Sequence, residues 1–407
     1  MEMENKKVVL AFSGGLDTTF CAIYLKETKG LEVHAILINT GGFNSEEVLK
    51  IEKHAYTLGV ANFKCIDLNE EFYRECLRFL IFGNVLKNQT YPLSVSAERI
   101  FQARAVAHYA KEIGAGYLAH GSTGAGNDQV RFDMIFTILC PEMQIITPIR
   151  DLRLSREAEI DYLKKHNVHY AYEKAAYSIN KGIWGTSVGG KETLTSRDTL
   201  PEEAYPTQVS VQEPAGLEIR FHQGEIIEVD GKPYSSPVQA IQYIEEKAGP
   251  YGIGRDIHVG DTIIGIKGRV GFEAAAAIII IKAHHLLEKH TLTRHQLSWK
   301  ETISSFYGNL LHEGLFLDPI MRNMEAFLTD TQKTVNGKVF IELLPYRFIL
   351  KGIESSNDLM QSRFGSYGEM NKSWSGEDVK GFSKIAANQI AIFHSVNSEY
   401  SQKENQK

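Results

Sequence analysis

Short apolar runs alternate with segments of helical spacing through the first part of the chain. Residues 8–12 form a continuous apolar run, which is typical of a buried strand, and residues 18–29 carry apolar side chains at helical intervals. Further strands are predicted at 33–38, 63–68 and 117–120, and further helices at 46–58 and 97–113. Because strands and helices alternate, this part of the chain is predicted to form a parallel sheet covered by helices on both faces.

The pattern changes after residue 182, where turn-forming residues replace regular periodicity. We predict a linker near 171–206, since residues 185–190 and 201–206 are rich in Gly or Pro. Beyond the linker, strands are predicted at 217–221, 338–344 and 347–350, and helices at 237–247 and 301–314. The second half of the chain is therefore predicted to be α+β.

Two apolar segments stand out in this second half. Residues 274–281 are too few for a membrane-spanning helix, which needs about 20 residues, and they predict a buried strand. Near the end of the chain, Phe382, Ile385, Ile392 and Phe393 recur at helical spacing and predict a helix with one apolar stripe. Such a helix either docks on its own domain or reaches a partner subunit, and the spacing is compatible with both.

Composition and charge narrow the classes of protein to which the chain can belong. A hydrophobic fraction of 43% and a charged fraction of 23% are those of a soluble globular protein. The 44 Lys and Arg residues are outnumbered by 50 Asp and Glu residues, which argues against a broad nucleic-acid surface. The amino terminus lacks the pattern of a secretory signal, so we expect a cytoplasmic protein with no membrane partner.

The cysteines give no sign of redox or zinc chemistry. Their positions are Cys21, Cys65, Cys76 and Cys140, and no two of them form a Cys-x-x-Cys pair. We interpret them as isolated thiols in a reducing cytosol. Among the histidines, His284, His285, His290 and His295 lie close together but lack any metal-ligand motif, so a solvated or capping role is predicted for them.

The strongest local signal is the loop Ala11-Phe12-Ser13-Gly14-Gly15-Leu16-Asp17-Thr18-Thr19, between a predicted strand and a predicted helix. Two glycines allow a ligand to approach the backbone closely, and the hydroxyls of Ser13, Thr18 and Thr19 are predicted to face an oxyanion at the helix start. The loop lacks the Lys of a Walker A motif. Asp17 would repel a phosphate unless Mg²⁺ intervened, which favours a metal-escorted polyphosphate; alternatively, Asp17 and Thr18 are helix caps without a ligand.

A second glycine-rich loop follows the strand predicted at 117–120. Its sequence is His120-Gly-Ser-Thr-Gly-Ala-Gly-Asn-Asp-Gln-Val-Arg131-Phe132. Arg131 suits a substrate carboxylate because a planar guanidinium can donate two parallel hydrogen bonds. The alternative is that Asn127 and Asp128 cap a helix and Arg131 is a solvated helix residue.

The first loop resembles the pyrophosphate loop of the N-type ATP pyrophosphatases, which split ATP into AMP and pyrophosphate. Together the two loops closely resemble the argininosuccinate synthase family, and the resemblance extends to Tyr91-Pro-Leu-Ser-Val-Ser96, to Tyr177-Ser178 and to Trp184-Gly-Thr-Ser187. In that family the ureido oxygen of citrulline attacks the α-phosphorus of ATP. The amine of aspartate then displaces AMP to form argininosuccinate.

The resemblance implies a role for each matching residue. The expected ATP-binding residues are Ala11, Phe12, Ser13, Gly14, Gly15, Leu16, Asp17, Thr18, Thr19, Ile38 and Gly121. The expected aspartate-binding residues are Thr123, Asn127 and Asp128, and the expected citrulline-binding residues are Tyr91, Ser96, Asn127, Arg131, Ser178 and Ser187. Asp17 and Asp128 are expected to position substrates and manage charge, without an obvious general base.

The resemblance also implies an architecture and an assembly. Residues 1–170 are expected to form an ATP pyrophosphatase-type nucleotide-binding domain, 171–375 a synthetase domain that also serves multimerisation, and 376–407 an oligomerisation helix and tail. The overall class is α/β with a parallel sheet, followed by α+β. The expected cofactors are ATP and Mg²⁺, with the metal carried by ATP, and the expected assembly is a homotetramer.

The second half departs from the family pattern at the acceptor site. Gly260 and Phe272 stand where the family commonly has a Glu and a Tyr that touch citrulline, and Ala125, Asn180 and Gly182 also differ from the common residues. These changes fit a divergent branch that uses citrulline, which we favour. They also leave open an acceptor such as N-acetyl- or N-succinyl-citrulline, because discrimination resides in the acceptor pocket.

Other functions on the same fold fit the sequence less well. Enzymes that thiolate tRNA would need a basic face and a cysteine pair, and amidotransferases would need a glutaminase domain with a nucleophilic Cys. A nucleotide sensor without turnover remains a further alternative. The dense polar loop around Asn127 argues against it, because sensing ATP needs no amino-acid pocket.

Overall fold

The structure is a computed structural model that describes residues 6–168, 177–361, 365, 367–369 and 373–404. It divides into two compact units, Met1–Asn357 and Asp358–Lys407. All elements up to β14 below belong to the first unit. The first unit carries the residues of the candidate site.

The first half of this unit is built on a five-stranded sheet in the order β3-β2-β1-β4-β5, and its strands are parallel. The strands are β1 (Lys7–Ala11), β2 (Glu32–Asn39), β3 (Asn62–Asp67), β4 (Tyr117–Ala119) and β5 (Gln144–Ile146). Val8, Val9 and Leu10 are completely buried, as expected for a strand covered on both faces. The predicted parallel sheet is confirmed.

Helices connect and cover these strands. They are α1 (Leu16–Ile23), α2 (Ser45–Thr57), α3 (Asn69–Phe72), α4 (Arg78–Phe82), α5 (Ser94–Glu112), α6 (Asp128–Leu139), α7 (Pro148–Asp151) and α8 (Arg156–Lys165), with π-helical turns at Tyr24–Thr28 and Tyr73–Leu77. The start of α2 shows why the chain is helical there. Asn44 accepts a hydrogen bond from the Glu47 backbone, and the Glu47 side chain accepts one from the Asn44 backbone.

Two sheets shape the second half of the unit. One has the order β10-β9-β8-β13-β14 and the other the order β11-β12-β7-β6, and their pairings are antiparallel. The strands are β6 (Ser178–Gly182), β7 (Gly185–Gly189), β8 (Ala215–His222), β9 (Glu225–Val229), β10 (Lys232–Pro233), β11 (Arg255–Asp261), β12 (Lys267–Glu273), β13 (Gly337–Leu344) and β14 (Arg347–Glu354). The α+β prediction for this half is confirmed.

The helices of this half are α9 (Pro237–Ala248), α10 (Ala275–Thr291), α11 (Arg294–His312) and α12 (Pro319–Thr331), with 3₁₀ turns at Lys191–Leu194, Glu202–Ala204, Gly249–Tyr251 and Gln332–Thr334. The second unit contains α13 (Gly376–Ala386) and α14 (Asn388–Glu404). Within the described ranges, no helix combines the length and apolar character needed to cross a membrane.

The strand predicted at 274–281 is wrong, because these residues begin helix α10. Ile279, Ile280 and Ile281 are almost completely buried although they point in different directions around the helix. A helix that is apolar on every side shows no period in its sequence, so it resembles a buried strand over a short window. The Glu245 carboxylate accepts a hydrogen bond from the Ala276 backbone at the start of this helix.

The linker predicted near 171–206 is wrong for residues 178–189, whereas residues 190–206 contain only 3₁₀ turns and irregular backbone. Residues 171–176 lie outside the described residues, but β6 and β7 form a hairpin that pairs with β12 in the four-stranded sheet. Gly-, Ser- and Thr-rich sequence conceals these strands, because Thr186 and Ser187 are buried without being apolar. This hairpin carries two of the predicted site residues, Ser178 and Ser187.

Candidate active site

The two glycine-rich loops lie side by side at the carboxyl ends of β1 and β4. These strands are neighbours in the sheet, so their following loops emerge together, as is usual for ligand sites in open parallel sheets. A Cβ atom at Gly121 would approach the Asp17 Cβ to 3.3 Å. Ile38 lies near the end of β2, on the other side of β1. The structure thus brings together the residues predicted to bind ATP.

The first loop leads into α1 without a side-chain cap. Gly15 is the capping residue, so the alternative that Asp17 and Thr18 cap this helix is wrong. Ser13 and Thr18 face each other, with 3.4 Å between their hydroxyl oxygens. The expectation for Thr19 needs correction, since its side chain is fully buried and its hydroxyl lies 2.9 Å from His54 Nε2. Of the three hydroxyls, only those of Ser13 and Thr18 lie at the helix start, and the Thr18 hydroxyl also donates to the Gly15 carbonyl oxygen at 3.2 Å.

Asp17 contacts a second acid, Glu159 of α8. Burial raises the pKa of the Asp17 carboxyl, opposed by the hydrogen bond between the two carboxyl groups. Burial, followed by the nearby charge of Asp17, raises the pKa of Glu159 to about 8. The pair therefore retains a proton near neutral pH, which Glu159 holds, so Asp17 can be the ionised member facing the loop.

Hydrogen bonds from α6 hold the second glycine-rich loop. Gln129 Nε2 donates to the carbonyl oxygens of Gly124 and Gly126, at 2.6 and 3.2 Å. His120 is buried, its Nδ1 lies 3.2 Å from the Ser122 backbone nitrogen, and its Nε2 lies 3.0 Å from Asp133. His120 before the loop and Gln129 after it therefore hold the loop backbone in position. Thr123 lies exposed on this loop, among the residues predicted to bind aspartate.

Asp128 lies between two arginines. Arg99 Nε donates to its Oδ2 at 2.9 Å, and Arg131 Nη1 donates to its Oδ1 at 3.0 Å. Burial opposes ionisation of this carboxyl, but the charges of Arg99 and Arg131 outweigh burial and hold its pKa below the ordinary value. Asp128 is therefore a fixed carboxylate at the start of α6.

Arg131 is committed to protein groups. Its Nε and Nη2 donate to the His312 carbonyl at 3.0 and 2.8 Å, and its Nη2 also donates to Ser96 Oγ at 3.0 Å. The guanidinium bonds other protein groups, so it does not offer the predicted pair of parallel hydrogen bonds to a substrate carboxylate. The alternative of a solvated Arg131 is also wrong, because only 3% of the residue is exposed.

His312 extends this cluster as a neutral acceptor. Its Nδ1 lies 3.1 Å from Ser96 Oγ. Burial first, and then the charges of Arg131 and Lys87, lower the pKa of His312 to about 3, so the ring is uncharged at neutral pH. With Arg131 donating to Ser96, the Ser96 hydroxyl can donate its own hydrogen to the imidazole. The orientation of Ser96 is thereby defined.

Arg99 connects this cluster to the β6–β7 hairpin. Its Nη2 donates to Asn180 Oδ1 at 2.7 Å, and Asn180 Nδ2 donates to Ser187 Oγ at 3.5 Å. A continuous network therefore joins the predicted residues Ser96, Arg131, Asp128 and Ser187. Ser178 lies exposed at the start of β6, near the network but not in it.

Tyr91 and Phe272 form an aromatic wall with a histidine. The Tyr91 ring lies 5.2 Å from the ring of His258 and 5.4 Å from that of Phe272. The Tyr91 hydroxyl accepts a hydrogen bond from the Val95 backbone at 3.1 Å. A side chain at Gly260 would collide with His258, whose Nε2 lies 2.5 Å from the Cβ position. The imidazole thus fills the space that a larger residue at 260 would use.

Asn127 is the N-cap residue of α6, but its side chain forms no capping hydrogen bond. Its side-chain oxygen accepts a hydrogen bond from the Ile263 backbone at 2.8 Å, which ties the second glycine-rich loop to the β11–β12 turn. The helix-cap alternative is therefore correct for the position of Asn127 but not for its side chain, and two arginines hold Asp128. Asp128, predicted to bind aspartate, and Ser96, Arg131 and Ser187, predicted to bind the acceptor, consequently lie in one hydrogen-bond network.

The histidine prediction is only partly correct. His284 is neither solvated nor capping, because it is fully buried between Asn84 Oδ1 and Gln332 Oε1, each 2.8 Å from a ring nitrogen. Among the described residues, no group of three or more His, Cys, Asp or Glu side chains could hold a metal ion. Cys21, Cys76 and Cys140 are buried free thiols, and Cys65 is half-buried.

Sequence reasoning missed Arg99, His258 and His312 as parts of the site. Arg99 lies one helical turn beyond Ser96, and a charged residue beside that motif was the one signal available for it. No signal pointed to His258 or His312, because strand β11 and the end of α11 approach the first loops only through the tertiary fold.

Comparison with known proteins agrees with this geometry over nearly the whole chain. Residues 7–169 match the family model of the arginosuccinate synthase N-terminal HUP domain, and residues 177–393 match that of the arginosuccinate synthase C-terminal domain. Argininosuccinate synthase of Dictyoglomus thermophilum is 37% identical, covering 94% of this chain and 96% of the relative.

Two archaeal relatives with the same name are similarly close. The protein of Methanocaldococcus jannaschii is 36% identical over 89% of this chain and 91% of its own, and that of Pyrococcus furiosus is 34% identical over 96% and 95%. The similarity extends across both domain matches, and the two glycine-rich loops lie side by side at one edge of the parallel sheet. The chain belongs to the argininosuccinate synthase family.

Proposed function

We propose that this protein joins citrulline and aspartate into argininosuccinate, a step of arginine biosynthesis, and converts ATP to AMP and pyrophosphate. The ureido oxygen of citrulline attacks the α-phosphorus, the bond to the β-phosphate oxygen breaks, and pyrophosphate leaves. The amine of aspartate, having lost a proton, then attacks the ureido carbon. A carbon–nitrogen bond forms and AMP departs.

One observation carries this proposal. The two glycine-rich loops lie side by side, and the second of them leads directly into the hydrogen-bond network around Asp128. ATP is assigned to the loop of Ser13 to Thr18 and to Gly121, and aspartate to Thr123, Asn127 and Asp128. Citrulline is assigned to the cleft of Tyr91, Ser96, Asn127, Ser178 and Ser187, and Arg131 acts on this site by holding Ser96 and Asp128 in position. A site that positions three reactants in this way supplies rate mainly through proximity and orientation.

Mg²⁺ fits the first loop as a companion of the ATP phosphates. Asp17 is the acid of that loop, and its pairing with Glu159 lets it face an incoming cation as a carboxylate. When bound, the metal would neutralise charge on the departing pyrophosphate. The chain's own part is to hold the phosphates on backbone amides and to keep Asp17 beside them.

The proposal includes a cytoplasmic homotetramer. The four free cysteines are compatible with a reducing compartment. In the second unit, Phe382 and Ile385 of α13 are 73% and 77% exposed, and α13 has no buried residue. Contact with partner subunits would cover such apolar side chains.

The test is pyrophosphate release from purified protein supplied with ATP, Mg²⁺, aspartate and citrulline, with each component omitted in turn. We expect pyrophosphate and AMP only in the presence of citrulline. Formation of ADP and orthophosphate would contradict the proposal, and pyrophosphate release without an acceptor would favour a different ligase.

Asp17→Asn is the matched active-site variant for this assay. We expect it to abolish turnover while the protein stays folded, because an amide can still hydrogen-bond Glu159 but cannot carry the charge needed beside Mg²⁺. Glu159→Gln is the control, because it changes the same carboxyl pair and leaves Asp17 intact. Equal activity of Asp17→Asn and wild type would remove Asp17 from the proposed mechanism.

A further inference from the structure

A cavity of about 370 Å³ opens beside the proposed acceptor cleft. Its lining includes Lys87, Asp261, Ile263, His312 and Glu313. Two of these residues contact the acceptor cleft directly. His312 Nδ1 lies 3.1 Å from Ser96 Oγ, and the Ile263 backbone donates to Asn127 at 2.8 Å. The cavity therefore adjoins residues that are assigned to the acceptor.

Lys87 has a fixed position relative to the acceptor cleft. The Lys87 backbone nitrogen donates to the Tyr91 carbonyl at 2.8 Å, and the Tyr91 backbone nitrogen donates to the Lys87 carbonyl at 3.0 Å. The Lys87 ammonium donates to Asn309 Oδ1 at 2.6 Å. Among the described residues this is its one hydrogen bond, so two of its three donors remain for a ligand.

The carboxylate of the acceptor needs a cation, and Arg131 is already occupied. Four hydrogen bonds engage Arg131 with the His312 carbonyl, Ser96 and Asp128. The guanidinium is also only 4% exposed. Lys87 is thus the cation in the cavity that can receive a carboxylate.

The ammonium of an amino acid needs an acid, and the cavity offers two. The Asp261 carboxylate is 2.6 Å from Lys267 Nζ and is therefore engaged. Glu313, directly after His312, is exposed and forms no ion pair with any described residue. Since Gly260 supplies no side chain and His258 fills that space, Glu313 is the acid best placed to replace the missing one.

We propose that Lys87 and Glu313 recognise the α-carboxylate and the α-ammonium of the acceptor, so that the cavity selects a free amino acid over one acylated on its nitrogen. This inference rests on the proposed function and identifies the acceptor end of that site. An acyl-citrulline would place a neutral amide beside Glu313 and leave that carboxylate without its ionic partner.

The test compares Lys87→Met with wild type in the pyrophosphate assay. We expect the KM for citrulline to rise about tenfold or more, because a charged hydrogen bond to the carboxylate is lost, while the KM values for ATP and aspartate stay unchanged. Lys333→Met is the matched control, since that exposed lysine pairs with Asp330 and lies outside the cavity.

Citrullinamide, which lacks the α-carboxylate charge, makes the test specific. We expect wild type to discriminate strongly between citrulline and citrullinamide, and Lys87→Met to lose most of that discrimination. We likewise expect Glu313→Gln to narrow the preference for citrulline over N-acetylcitrulline. An unchanged KM in Lys87→Met, or a wild type that prefers N-acetyl- or N-succinyl-citrulline, would overturn the inference.

Failure of this inference is distinguishable from failure of the proposed function. If wild type releases no pyrophosphate with any of these acceptors, the proposed ligation is wrong. If wild type is active with citrulline but the Lys87 and Glu313 variants bind it normally, only the assignment of the cavity is wrong.

Discussion

Glu98 is a carboxylic acid enclosed by protein in the middle of the candidate site. It is 1% exposed, it precedes Arg99 on α5, and its Oε1 has no hydrogen-bond partner. Burial raises its pKa from 4.5 to about 8, although the charge of Arg99 opposes this rise. The native protein therefore keeps a proton on Glu98 near neutral pH, where the unfolded chain has lost it.

This proton predicts a pH dependence of stability. Because the folded state holds the proton and the unfolded state releases it above 4.5, the free energy of unfolding should fall as the pH rises from 4.5 to about 8. Glu98→Gln mimics the protonated acid and should weaken this dependence, with the larger gain in stability at the upper end of the range. Urea unfolding of both proteins at several pH values measures it, and identical slopes would contradict the assignment of the proton.

At the scale of elements, the β6–β7 hairpin is fitted against α5. A Cβ atom at Gly182 would overlap the Glu98 carboxyl, whereas one at Gly189 of the same hairpin would be 3.9 Å from its nearest neighbour. The hairpin also carries Asn180 and Ser187 into the Arg99 network. Packing at residue 182 therefore controls where this network lies.

Gly182→Ala should destabilise the protein by about 1–3 kcal/mol, because the added methyl group displaces a buried carboxyl. Gly189→Ala on the same hairpin should have little effect. Combining Gly182→Ala with Glu98→Ala should restore part of the loss, since the obstacle is removed. Thermal unfolding of wild type, Gly182→Ala, Gly189→Ala, Glu98→Ala and the double variant decides this, and additive losses in the double variant would show that the two residues do not collide.

At the scale of the whole molecule, a buried polar cluster ties the two halves of the first unit together. Lys300 of α11 lies 2.8 Å from Glu288 of α10, and Asn84, just after α4, donates to the same carboxylate at 2.5 Å. Both charged side chains are almost completely buried. Such a cluster specifies how the halves dock, because any displacement leaves a buried charge without its partner.

Assembly of subunits is the other property of the whole molecule that can be tested. Deleting residues 376–407 removes α13 and α14 with their exposed apolar side chains. We expect the shortened protein to form smaller particles in light scattering, because the surface that would join the subunits is lost. An unchanged particle mass would place the subunit contacts elsewhere.

The sequence by itself determined the first half of this protein, which is built on the parallel sheet. Buried strands such as β1 are continuous apolar runs, and the two glycine-rich loops bear residue types that only a few backbone geometries and ligands require. Parallel strands then place both loops at one edge of the sheet, so the proximity of Asp17 and Gly121 follows from the order of elements.

Tertiary structure alone decided which polar groups are left to bind a ligand and which are already hydrogen-bonded to other parts of the protein. Arg131 looks from its sequence like a substrate ligand, but contacts with Asp128, Ser96 and His312 use most of its donors. Those contacts join residues far apart in the chain, and local pattern contains no information about such distances. For the same reason α10 resembled a strand and the β6–β7 hairpin resembled a linker: burial on all sides, or burial of small polar residues, erases the periodicity on which prediction depends.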